Sequence, residues 1–83
     1  MVKYELRELR KLGLSYNRLQ GRISSFIGDL RKLEVLWLSY NNFTGLVPQQ
    51  LGVNGKLLEV HLDFNRITSS IPPNLYKEEG YIN

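Results

Sequence analysis

One pattern recurs three times in this chain, and it constrains the fold before any local preference is read. LGLSYNRLQGRIS fills residues 12–24, LWLSYNNFTGLVP residues 36–48 and VHLDFNRITSSIP residues 60–72, each 24 residues from the next. Stacked, the copies put Leu14, Leu38 and Leu62 in one column and Asn17, Asn41 and Asn65 in a second. Leu19, Phe43 and Ile67 form a third column, and Ile23, Val47 and Ile71 a fourth. A fixed period of roughly 20–29 residues marks a solenoid, in which no repeat buries its apolar face alone. The period also overrides a local reading. Leu6, Leu9 and Leu12 by themselves are spaced for an amphipathic helix. Leu9 and Leu12 nevertheless align with Leu33 and Leu36, and with Leu57 and Val60.

Each coil then has one layout. A short strand comes first, centred on residues 11–14, 35–38 and 59–62, with aliphatic residues alternating so that one side faces inward. The turn that follows carries the asparagine. Its amide both donates and accepts, so it can satisfy backbone groups that a tight turn leaves unpaired, and the stacked amides are expected to form a ladder. Gly21 and Gly45 permit a turn or a close approach of backbones, with Ser69 in the third copy; Pro48 and Pro72 stop any regular element, with Ser24 in the first. Ile27–Gly28, Leu51–Gly52 and Leu75 are expected in single helical turns that return the chain to the next strand. Asn54 takes the slot of Leu30 inside an Asn–Gly turn, which leaves Val53 as the expected filler of that coil. The chain thus reads as one unit with repeats at about 6–29, 30–53 and 54–77, and residues 78–83 (EEGYIN) as a polar, frayed tail.

Composition removes several alternatives. At 83 residues there is one small unit, and 42% hydrophobic with 23% charged residues is ordinary for a folded domain. The absence of cysteine excludes a disulfide framework and a thiolate metal site. The net charge of +3 comes from basic residues weighted toward the first half, but Glu5, Glu8 and Asp29 are interleaved with them. That is the pattern of a solvated surface, and nucleic acid is not an expected partner. No run of 18 apolar residues occurs, so no direct membrane insertion is expected, and MVKYELRELRKL has no signal-peptide core.

The string LxxLxxLxLSxNxLxGxIP at this period resembles the plant-type leucine-rich repeat over residues 6–76, and Gly45-Leu46-Val47-Pro48 marks that subclass. The resemblance implies an α/β, right-handed solenoid with a short parallel sheet on the concave side and 3₁₀ turns and irregular loops on the convex side. It also implies a second small sheet after the asparagine turn. Proteins of this type are mainly ectodomains of receptor-like kinases and receptor-like proteins, and inhibitors of cell-wall polygalacturonases. They bind peptides, steroids or other proteins. The expected function is therefore a protein- or peptide-binding module, a fragment of such an ectodomain, extracellular in that setting. The alternative is a self-associating structural fragment, or a truncated product without independent activity. Open solenoid ends carry apolar residues and unpaired strand edges, so end-to-end association is part of that alternative.

Strand alternation points Lys11, Gly13 and Ser15, then Val35, Trp37 and Ser39, then Glu59, His61 and Asp63 outward. Ser15, Ser39 and Asp63 fall in the repeat's own serine column, where a structural hydrogen bond is expected. Tyr16, Tyr40 and Phe64 form an aromatic column suited to stacking coil on coil. Trp37 stands where the repeat requires no aromatic, and tryptophan is enriched at binding hot spots. The candidate contact surface is thus Val35, Trp37, Tyr40, Glu59, His61 and Asp63. His61 lacks the companions of a metal or acid–base site, and no catalytic motif occurs, so neither metal, cofactor nor enzymatic activity is expected. Asn42-Phe43-Thr44 is a glycosylation sequon, with Asn42 as its acceptor.

Overall fold

The computed structural model describes residues 7–23, 25–53, 56–68 and 81–82. Short strands alternate between two parallel sheets, as a chain must do when each coil passes the same two faces. Among the described residues the strands are β1 (Lys11–Gly13), β2 (Gln20–Arg22), β3 (Val35–Trp37), β4 (Asn42–Gly45), β5 (Glu59–His61), β6 (Arg66–Ile67) and β7 (Tyr81–Ile82), with one helical turn, α1 (Ser25–Gly28). The first sheet has the order β1-β3-β5-β7 and the second β2-β4-β6. In the first, Leu12 pairs with Leu36 and Leu36 with Val60, so pairing follows the 24-residue repeat. In the second, Gly21 pairs with Phe43 and Thr44 with Arg66, two residues out of that register. An even slip preserves which face each side chain takes.

The core lies between the sheets and is most complete in the middle coil. Leu30, Leu33, Leu36, Leu38, Phe43, Val47 and Leu51 are all buried there, while Leu9, Leu12 and Leu14 of the first coil are only partly covered. The third column shows the same gradient, with Leu19 at 38% exposure and Phe43 at 8%. On the return side, α1 and the turns after it carry hydrogen bonds of the 3₁₀ kind, Leu30 N to Ile27 O and Leu51 N to Pro48 O among them. Coils approach closely here. A Cβ on Gly28 would lie 2.7 Å from Gln50 Cβ, so this position accepts no side chain without a shift.

Two expectations are corrected. Val53 does not fill the second coil's return segment: it is 60% exposed, because its turn closes on Gln50 and leaves the interior to Leu51. Asn54 itself lies outside the described residues. Nor is the tail wholly frayed. Tyr81 and Ile82 pair in parallel with Glu59 and Val60. The physical reason is the open edge of β5, whose unpaired N–H and C=O groups accept a short segment of two good strand formers. Residues 78–80 and 83 lie outside the description, as do Leu6, Ile71 and Leu75.

What fixes the register between coils is the asparagine column. Asn41, 7% exposed, donates through Nδ2 to Leu14 O of the preceding coil at 2.9 Å and to Leu38 O and Ser39 O of its own. Its Oδ1 accepts Leu19 N–H at 3.0 Å. Asn65 repeats the arrangement one coil on, bonding Leu38 O, Leu62 O, Asp63 O and Phe43 N–H. The exposed Asn17 side chain, among the described residues, makes only the local bonds to Leu14 O and Ser15 O. Asn41→Ala strands backbone groups of two coils at once, and a buried group left unpaired costs about 1–3 kcal/mol. We expect this substitution to lower stability by roughly 2–4 kcal/mol and Asn17→Ala by about 1 kcal/mol or less. Denaturant titration of the two variants, read by the fluorescence of the single tryptophan, checks the order.

Candidate functional site

The alternation along β1, β3 and β5 buries Leu12, Leu36 and Val60 more than their neighbours and turns Lys11, Gly13, Val35, Trp37, Glu59 and His61 to the other face. Three coils then hold Trp37. Gly13 of the first leaves room for the indole, whose Cε3 lies 3.4 Å from where a Cβ would stand. Glu59 of the third accepts a hydrogen bond from Trp37 Nε1. His61 Nε2 lies 3.5 Å from the same carboxylate oxygen, and its ring faces the indole at 6.0 Å and 29°. The indole remains 41% exposed. A large aromatic is thereby fixed in orientation while its outer face stays open to water.

Beyond the strand ends the backbone takes an unusual course. Tyr16, Tyr40 and Phe64 have φ of 60°, 57° and 58°, the left-handed region that costs an L-residue with a side chain about 1 kcal/mol or more. Their rings stack from coil to coil, Tyr16 on Tyr40 at 4.4 Å and Tyr40 on Phe64 at 4.3 Å, within 10° of parallel. Stacking of this kind contributes about 0.5–1.5 kcal/mol per pair and offsets the strain. Burial against this stack, and the adjacent Tyr16, raise the Tyr40 phenol above its ordinary range. Next to the stack the Ser39 hydroxyl, buried, donates to the Asp63 carboxylate. Ser39 therefore has a structural bond in the serine column.

Trp37, Tyr40, His61 and Asp63 meet around one open depression of about 370 Å³, together with Ser15, Tyr16 and Ser39. Of the six candidate residues, Val35 and Glu59 do not line it. They stand at the start of their strands, and Glu59 reaches the depression through its bond to Trp37. Tyr16, 75% exposed, was not among the candidates; its place in the aromatic column was the available signal. Asn42 is exposed on β4 in the second sheet and contributes nothing to the depression. Among the described residues, no group of three His, Cys, Asp or Glu side chains could hold a metal ion, and no helix is long and apolar enough to cross a membrane.

Two parallel sheets joined by short return segments, stitched by an amide ladder, define a repeat solenoid. A leucine-rich-repeat profile matches residues 7–67, and the chain belongs to the leucine-rich-repeat family, in its plant type. Among solved structures, a chain of the BIR3–SERK2 complex from Arabidopsis thaliana is similar, with a TM-score of 0.81 and 30% sequence identity. The similarity covers 98% of this chain and 44% of that one, so this chain spans less than half its length. No curated protein matches the sequence.

The strained aromatic column yields an inverted prediction. Replacing Tyr40 by alanine or glycine loses the same two stacks, but only glycine releases the left-handed strain. We expect Tyr40→Gly to be more stable than Tyr40→Ala by roughly 1 kcal/mol, against the usual order of these residues. Thermal unfolding of the pair decides it.

Proposed function

We propose that this chain is a protein- or peptide-binding module, a segment of a plant-type receptor-like ectodomain, and that it binds through the concave sheet around Trp37. The observation that carries the reading is the indole itself, held by Glu59 and His61 from the neighbouring coil and still 41% exposed. A pre-oriented aromatic loses little conformational freedom on binding, which is how a few side chains come to dominate an interface. Val35 extends the apolar surface along β3, Tyr40 offers a ring beside the depression, and Glu59, His61 and Asp63 supply polar groups that orient a partner. The similar structure from Arabidopsis is itself a complex of two proteins, which supports the class of partner. The exposed Asn42 of the sequon is consistent with an extracellular setting, where it would carry a glycan.

The test begins with a peptide selected from a displayed library against the folded chain. Trp37 lies outside the core, so Trp37→Ala should keep the circular dichroism spectrum. It should weaken binding of the selected peptide by about 30-fold, the equivalent of roughly 2 kcal/mol. Equal affinity of the variant and the wild type would defeat the reading.

A second reading rests on β1. It is an edge strand among the described residues, with Leu12 and Leu14 half covered and the Tyr16 ring 75% exposed beside it. A second copy adding to this edge would extend the first sheet. Sedimentation over a range of concentrations separates the two: a monomer throughout removes this second reading and leaves the first intact.

A further inference from the structure

The other end of the strands carries the opposite chemistry. The segments leading into β1, β3 and β5 bring Arg10, Arg31, Lys32 and Lys56 around Glu34, where they line an open concavity of about 350 Å³. Two of these cations are paired across coils, Arg10 Nη1 to Glu34 Oε2 at 3.0 Å and Lys32 Nζ to Glu8 Oε1 at 2.7 Å. The Lys32 hydrogen bond, with the charge behind it, holds the Glu8 carboxyl below its ordinary range. Arg31 and Lys56 are exposed and have no ion-pair or hydrogen-bond partner among the described residues. Leu58 is outside that lining, but its N–H bonds Glu34 O at 2.8 Å and its side chain is 59% exposed.

We propose that this cradle is a second binding site, separate from the Trp37 surface, and that it takes an acidic peptide segment with an apolar residue near its carboxylates. Arg31 offers a planar fork that a carboxylate can engage with two hydrogen bonds, and Lys56 a point charge on a long stem. They stand on neighbouring coils, whose strands are about 4.8 Å apart, while alternate carboxylates on an extended peptide are about 6.6 Å apart. The reach of both side chains spans that difference. Leu58 supplies the apolar contact. Two features disfavour a nucleic acid here. The lining has no aromatic ring among the described residues on which a base could stack, and Leu58 has no counterpart on a phosphate backbone.

The probe is a synthetic, end-blocked peptide alternating glutamate and leucine, titrated calorimetrically into the whole chain at low ionic strength. Its controls are the same peptide with glutamine for glutamate, a thymidine oligonucleotide and vesicles of phosphatidylserine. We expect the glutamate peptide to bind at least tenfold more tightly than the glutamine peptide, and to weaken as salt screens the contacts. Arg31→Ala/Lys56→Ala, both surface changes, should lower its affinity about tenfold. Trp37→Ala should leave it unchanged. Equal binding of the glutamine peptide, tighter binding of the oligonucleotide or the vesicles, or an unaffected double variant would each overturn the proposal. A loss caused by Trp37→Ala would do so as well, since it would place the probe on the other surface.

Discussion

The amide of Asn41 is the constraint on which the rest of this structure depends. A coil of 24 residues with three-residue strands has too little regular structure to satisfy its own backbone at the turns. The asparagine supplies the missing donor and acceptor, and it does so across the gap between coils, to Leu14 O and Leu19 N–H of the coil before. The leucines add the energy of burial, which is non-directional. The amide adds direction: a coil shifted along the stack would bury much the same area and lose these bonds.

Directional contacts between coils recur at every level of the surface. The Ser39–Asp63, Arg10–Glu34 and Lys32–Glu8 contacts, and both ring stacks, all join residues 24 apart. Each side chain therefore meets its neighbours mainly through the repeat and seldom through its own local sequence. Trp37 likewise meets its neighbours across coils, with its tether from the third coil 22 residues on and its clearance from the first 24 residues back. The two surfaces proposed for binding, aromatic after the strands and basic before them, are built from columns of this kind.

Much of this was legible in the sequence, because a period that recurs three times reports on three-dimensional neighbours directly. The strands fell where the alternation put them, and Leu36, Leu38, Asn41, Phe43 and Val47 took the interior places that their columns require. Less was legible where the columns break. Asn54 in the slot of Leu30 points to Val53 as the filler, but turn geometry decides its exposure. Tyr81 and Ile82 lie past the last recognisable repeat, and only the open edge of β5 explains their pairing. The left-handed backbone at Tyr16, Tyr40 and Phe64 was hidden for a different reason: aromatic residues are poor candidates for that conformation, and the stacking that compensates them is visible only once coils are superposed. The two-residue slip of the second sheet follows from where Leu19 and Phe43 find the next coil's amide oxygen, and no column in the sequence announces it.

The pairing of β7 has a consequence for how such a chain tolerates change. Glu59 meets Tyr81 and Val60 meets Ile82, so the last coil closes in two fewer residues than the 24 that separate Lys11 from Val35 and Val35 from Glu59. The strand still aligns. Coil length is therefore an elastic quantity in this architecture, and the rigid one is the identity of the residues that meet across the gap. A change of two residues in coil length therefore leaves the pairing of this sheet intact. A surface read out by a partner can in this way stay in step from coil to coil while coil length varies.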